Sequence, residues 1–317
     1  MGGGGHTKAI LDQGGRVIAL DQDPDAILYA SSRLQKYILE GRLDIIQTNF
    51  RFINDAVSRS RFFERPASKV DGILMDLGIS SHQIDQDYRG FAFGVDGPLD
   101  MRMSRGETSG STSLSASNIV NEWDVEQLAN CLYNFGDETR SRQIARQIVT
   151  ARPLNSTGQL VDVISRITSF KQRPQTLARC FQAIRIAVND EIGALENALE
   201  SVYEILKPGG RLVIISYHSL EDRRVKNLFK YGSVGGEAVP GTLNVWNPLF
   251  KGAQLPTEEE IARNRRARSA KLRVAERRSD QEALQLVQSQ GIRQSKSFVG
   301  AKQIAKAFRN GDPNDSS

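Results

Sequence analysis

What this chain has little of narrows it first. Its 317 residues include two cysteines, Cys131 and Cys180, which is no disulfide framework and suits a reducing compartment. No run approaches the roughly 18 apolar residues that a helical membrane span needs, so no membrane partner is expected. The three histidines, His6, His82 and His218, show no ligand-type pair spacing, and no metal is expected. Acidic and basic residues nearly balance at a net charge of +5, yet the sequence pI is about 9.2 and the basic excess is uneven. Between Arg263 and Arg278 stand Arg263, Arg265, Arg266, Arg268, Lys271, Arg273, Arg277 and Arg278 against Glu276 alone. Such a cluster points to a polyanionic partner or to a solvated basic face.

What is there is a set of short apolar runs that end in polar groups. Val70 to Asp76 is a buried strand with an acid at its tip, followed by Gly78, Ser80, Ser81, His82 and Gln83. Arg16 to Asp21 repeats the pattern, Leu43 to Gln47 stops at Thr48-Asn49-Phe50, and Arg211 to Ser219 ends in Tyr217, His218 and Ser219. Helical patterns separate the runs. Pro24 opens one with Ile27, Leu28, Ala30, Leu34 and Ile38 at helical spacing. Strands alternating with helices predict an α/β fold with a Rossmann-like doubly wound sheet, whose strand tips form the ligand crevice.

The alternation breaks after Ser81, and Ser104 to Ser117 is rich in Ser, Thr and Gly. Helical periodicity then runs from Glu122 to about Phe170. The expected organisation is a first part of the sheet domain over 1–104, an inserted helical domain for substrate recognition over 105–173, a second part over 174–280, and a basic, partly disordered tail over 281–317. In the second part a helix from Pro174 to about Leu206 should break near Asn189-Asp190. Gly232 to Glu260 reads as loop, and Ala270 to Glu276 alternates as a last edge strand should.

The glycine turn Gly2 to Gly5, with an acid 16 residues beyond Gly5 at Asp21, suits a nucleoside-bearing cofactor. A dinucleotide would need Gly-x-Gly-x-x-Gly, and no register of Gly2 to Ala9 supplies the third glycine. S-adenosyl-L-methionine, which has no phosphate, fits better. The glycines would face its carboxylate and ribose, Asp21 the ribose hydroxyls, and Asp76 the reacting end.

At these residues the chain resembles the MraW/RsmH family. The resemblance is carried by Gly4-Gly5-His6-Thr7, Ala19 to Pro24, Met75 to Ser81, Arg89-Gly90-Phe91 and Asp96 to Met103 (DGPLDMRM), then by Phe181 to Asn189, Pro208 to Arg223 and Arg266 to Arg277. It implies a class I methyltransferase fold, S-adenosyl-L-methionine as cofactor, and methylation of the exocyclic cytosine amine in small-subunit ribosomal RNA. It would place the cofactor on Gly4, Gly5, His6, Asp21, Phe50, Asp76 and Gln83, and make the helical insertion part of the RNA surface. The chemistry of the residues agrees. A conjugated amine needs an acceptor for its N–H, and Asp76 with the Ser80 and Ser81 hydroxyls can serve. Ring-carbon methylation would need a thiolate, whereas Cys131 and Cys180 fall on helices as small buried side chains. His218 and Ser219 are expected at the base pocket. Asp100 and Arg102 suit a lid over a flat base, and Arg185 and Asn189 form either a buried polar pair or a support for that loop. Arg265, Arg266 and Arg268 are expected on the RNA backbone, with Arg273 and Arg277 structural.

The resemblance also creates an expectation about the amino terminus. Family members carry a strand before the glycine turn, and this chain opens on the turn itself. An incomplete gene model, isoform or fragment is therefore expected, in which the strands ending at Asp21 and Asp76 face an open slot. The Gly-Gly-His-Thr turn and His82 lean toward a mitochondrial enzyme, with bacterial cytoplasm or plastid as alternatives. Other readings are a methyltransferase of another RNA or of protein, and a non-catalytic RNA-binding assembly factor that keeps the fold. Monomer and homodimer both stay open.

Overall fold

A computed structural model describes residues 1–63, 69–104, 114–239 and 242–289. Among them, residues up to 63 and from 78 to 195 make one compact unit, and residues 69–77 and from 196 onward make a second.

The first unit opens with helix α1 (Gly5–Asp12), strand β1 (Val17–Asp21), helices α2 (Pro24–Arg33) and α3 (Gln35–Leu39), strand β2 (Leu43–Gln47) and helix α4 (Ile53–Arg59). β1 and β2 pair in parallel from Val17 opposite Leu43 to Asp21 opposite Gln47. Leu11, Ala19, Leu34, Tyr37 and Leu43 bury their side chains together. The sequence dictates where α2 begins: Pro24 takes the first helical position, where its missing N–H is not needed, and the Asp23 side chain accepts the Asp25 N–H.

After α5 (Ser81–Asp85) come α6 (Ala116–Glu122), α7 (Val125–Gly136), α8 (Ser141–Thr150), α9 (Thr157–Arg166) and α10 (Arg173–Asn189). Ile119, Leu128, Leu132, Ile144, Ile148, Leu160, Ile164, Cys180 and Ile184 are buried in a common core. Each large aliphatic side chain there contributes about 1.5–3 kcal/mol. Phe91, Leu99, Met101 and Met103 join that core, so the DGPLDMRM segment is anchored by its apolar residues. The long helix breaks where the sequence suggests. Asp190 takes the left-handed conformation at φ 45°, and α11 (Glu191–Ile205) restarts beside it.

Both cysteines lie in this core, Cys131 at 4% and Cys180 at 0% exposure. Burial pushes both thiols up to about 12, and the charge of Glu138 adds to the effect at Cys180. Iodoacetamide at pH 8 is therefore expected to leave both unlabelled in the native protein and to label both after denaturation. Rapid native labelling, read by mass spectrometry, would show that the core opens.

In the second unit β3 (Val70–Asp76), β4 (Leu206–Ser216), β5 (Trp246–Pro248) and β6 (Lys271–Arg277) form a sheet in the order β3-β4-β6-β5. The β3–β4 pair is parallel and the other two are antiparallel. Helices α12 (Ser219–Tyr231), α13 (Glu258–Arg263) and α14 (Asp280–Ser289) complete it. Among the described residues β1 has β2 as its only strand partner, and β3 has only β4.

Two expectations need correction. The strand at Lys271–Arg277 is not an edge, because β5 lines its far side. Three residues are too few to show a period, and Pro248, which cannot donate to a ladder, suits the outermost position that β5 takes. β4 also starts five residues before Arg211, since Leu206 already pairs with Val70 across a register shift. The expected disorder of residues 311–317 lies outside the described residues, as does most of the 104–117 boundary.

Candidate active site

In the first unit the tip of β1 meets the glycine turn. Gly4 holds φ 74°, and a Cβ there would sit 2.9 Å from Leu34 Cδ1, so the position requires glycine. A Cβ on Gly5 would meet nothing within 4 Å. The Gly2 N–H donates to Asp21 Oδ2 at 2.8 Å, the Met1 ammonium lies 3.2 Å from the same oxygen, and the Asp23 N–H donates to Asp21 Oδ1 at 2.9 Å. Asp21 thus faces the turn. His6 is exposed in the first turn of α1, and Phe50 is half-buried in a 3-10 turn capped by Asn49.

Gln83 is tied into the fold through its amide. It is 5% exposed, accepts the Ser80 N–H at 2.9 Å, and donates to Asp23 Oδ2 at 2.7 Å. Ser80 Oγ in turn accepts the Gln83 N–H. The Ser80–Gln83 pair is a capping box that starts α5. Ser81 opens α5, and its side chain lies outside the described residues.

The loop from Asp100 to Met103 is pinned from two sides. The Met103 N–H donates to Asn189 Oδ1 at 2.8 Å, and Asn189 Nδ2 donates to the carbonyls of Met101 and Arg185. Of the two readings of Asn189, the structure therefore shows support of the loop. Arg185 makes a bidentate pair with Glu191 at 2.7 and 2.9 Å. Arg102 pairs with Asp100 through Nε at 2.6 Å while staying 42% exposed. On the loop's other side Arg89, 1% exposed, meets Asp23, 0% exposed, at 3.1 Å. Sequence reasoning missed Arg89 and Asp23. An arginine beside a glycine and an acid beside a proline look like turn residues until burial is known.

In the second unit the tips of β3 and β4 lie side by side, and the ladder continues through Leu77 N–H to Ile215 O at 3.0 Å. Asp76 is exposed, and the Tyr217 hydroxyl donates to Asp76 Oδ1 at 3.0 Å. Burial of Tyr217, reinforced by the Asp76 charge and the hydrogen bond itself, raises its phenol well above the ordinary value. It stays a donor at any working pH. Tyr217 was the residue to find here, since its neighbours in the Tyr-His-Ser run were singled out and it was not. Glu221 accepts the N–H groups of Tyr217 at 2.8 Å and His218 at 3.4 Å, and the His218 Nε2 stands 3.2 Å from Glu221 Oε1. His218 is thus largely buried against α12, and Ser219 is exposed at its start. Arg265, Arg266 and Arg268 are exposed on a 3-10 turn after α13, and Arg265 and Arg268 line a surface hollow with Ile261, Ala262 and Ser269. Arg273 is structural, as expected, because it pairs with Asp222 at 2.7 Å.

A family model described as the MraW methylase family matches residues 1–278. The chain belongs to that family. Two ribosomal RNA small subunit methyltransferase H proteins are among its relatives. The one from Brevibacillus brevis is 43% identical over 293 residues, which is 87% of this chain and 90% of the relative. The one from Brucella anthropi is 44% identical over 285 residues, 86% of this chain and 79% of the relative.

The residues present fit the cofactor of a methylase of this family. Gly5 leaves open space at the amino end of α1, where backbone N–H groups suit a carboxylate. Asp21 keeps acceptor capacity beyond the two N–H groups and the Met1 ammonium around it, because a carboxylate offers about four lone-pair sites.

Proposed function

We propose that this MraW-family chain transfers the methyl group of S-adenosyl-L-methionine to the exocyclic N4 amine of a cytidine in small-subunit ribosomal RNA. The observation that carries the reading is the exposed Asp76 carboxylate at the β3 tip, oriented by a protonated Tyr217 hydroxyl. A carboxylate in that state is the acceptor an aromatic amine needs. As the amine N–H leans on Asp76, the nitrogen becomes pyramidal and its lone pair becomes available for in-line attack. When bound, the cofactor supplies an electrophilic methyl on a sulfonium, so the reaction needs no covalent intermediate on the protein. Both thiols are buried and protonated, which disfavours a ring-carbon route through a cysteine nucleophile.

The remaining residues divide the work by where they stand. The glycine turn with Asp21 orients the nucleoside end of the cofactor, while His6 and Phe50 border it. Gln83 holds Asp23 at 2.7 Å and, by family resemblance, stands with the cofactor residues. Asp100 and Arg102 present charge from an anchored loop, His218 and Ser219 border the base, and the exposed Arg265, Arg266 and Arg268 meet RNA phosphates. The helical core of α6 to α10 is the platform for RNA recognition.

The test is to incubate the chain with labelled S-adenosyl-L-methionine and small ribosomal subunits that lack the modification, then digest the RNA. Label is expected in N4-methylcytidine. Label in 5-methylcytidine would refute the amine assignment. Subunit binding with a steep salt dependence and no label at all would instead identify a non-catalytic assembly factor.

A further inference from the structure

The tip of β1 and the Asp100–Met103 loop belong to different parts of the proposed reaction, yet they are bonded to one another. Gln22 directly follows Asp21. Its Nε2 donates to Met103 Sδ at 3.3 Å, and its Oε1 accepts Asn49 Nδ2 at 2.8 Å, just before Phe50. Asp23 follows, and its buried carboxylate holds Arg89. Arg89 Nη2 then donates to the carbonyls of Arg102 at 3.1 Å and Met103 at 2.9 Å, while Arg89 O accepts the Met101 N–H at 3.0 Å. Two consecutive residues next to Asp21 therefore reach the loop by two routes, Gln22 directly and Asp23 through Arg89.

The loop they grip is strained. Met101 is fully buried at φ 57°, a conformation that a methionine adopts only when its surroundings over-determine it. Asn189 and Arg89 supply that determination from opposite sides. The route through Gln22 is of another kind. An N–H to sulfur bond is weak, so it adds little stability, but it ties a movable side chain at the cofactor end to the residue beside Arg102. A ligand on Asp21 acts beside Gln22, which bonds Met103, and beside Asp23, which holds the Arg89 that bonds Met103.

We propose that Gln22 and Arg89 are positioning residues that lock the Asp100–Met103 loop to the β1 tip, so that cofactor and RNA bind cooperatively. The proposal rests on the methyl-transfer reading above. Linkage makes it measurable from either side: if RNA tightens the cofactor by some factor, the cofactor tightens RNA by the same factor.

The experiment measures S-adenosyl-L-methionine affinity by calorimetry with and without saturating unmethylated small subunits, for the native chain, Gln22→Ala and Arg89→Lys. In the native chain RNA is expected to tighten the cofactor by about 5–150-fold. In Gln22→Ala the affinity without RNA should persist, and the ratio should fall below the native value while staying above one, because the Arg89 route remains. A merely structural role would lower both affinities and leave their ratio alone. Arg89→Lys tests the second route, and Gln22→Ala decides the matter if the lysine variant does not fold, because Gln22 is only half-buried. Binding of both ligands with a ratio of one in the native chain would overturn the coupling, and a native ratio kept in Gln22→Ala would overturn the role of Gln22; either result leaves the methyl-transfer reading intact. Failure of the native chain to bind either ligand would overturn both.

Discussion

Arg89→Met is expected to destabilise the first unit by about 3–5 kcal/mol, the range for removing one partner of a buried ion pair. Asp23 is fully buried, and it would keep the Gln83 amide and the Asp25 N–H but lose its counter-charge. The carbonyls of Arg102 and Met103 would lose a charged donor at the same time. Methionine matches the volume, so the loss would report electrostatics more than a cavity. Urea unfolding with an unchanged slope and a lowered midpoint is the measurement. The double variant Asp23→Asn/Arg89→Met removes the stranded charge and should recover part of the loss, which a pure packing defect would not. A change below about 1 kcal/mol in the single variant would mean that the pair behaves like an exposed one.

How much of this was legible beforehand depended on whether a residue's role is local. β2 and the break at Asn189-Asp190 follow from periodicity and local conformation, and both stand where the sequence puts them. The exposed Asp76 at a strand tip is likewise a local pattern. Asp23 and Arg89 are 66 residues apart, and their meeting inside the protein is a property of the fold that no spacing announces. Gln83 shows a local signal of another kind. Its pattern, Ser80-x-x-Gln83, is a helix start that spacing alone announces. β5 escaped because three residues carry no period, and with it went the true position of β6 in the sheet.

Asp76→Asn is expected to lower methyl transfer by about 10²–10⁴-fold, the usual share of a positioned proton acceptor. Asparagine keeps the shape and one oxygen for the Tyr217 hydroxyl, but it has no charge and takes no proton. Because Asp76 is exposed, stability should stay within about 0.5 kcal/mol, in contrast to Arg89→Met. Two roles for Asp76 then separate by kinetics. If it served only to hold the cofactor, saturating S-adenosyl-L-methionine would restore the rate, and the defect would lie in KM. If it draws the amine proton, the rate stays low at saturation, and the defect lies in kcat. Tyr217→Phe supplies the graded companion. It removes the 3.0 Å bond that orients the carboxylate but leaves the charge in place, so a loss of about tenfold in kcat, or about 1.4 kcal/mol, is expected. In the Asp76→Asn background the same Tyr217→Phe change should have little further effect, since its contribution acts through Asp76. Additive losses would show that Tyr217 acts on the reaction by a route of its own.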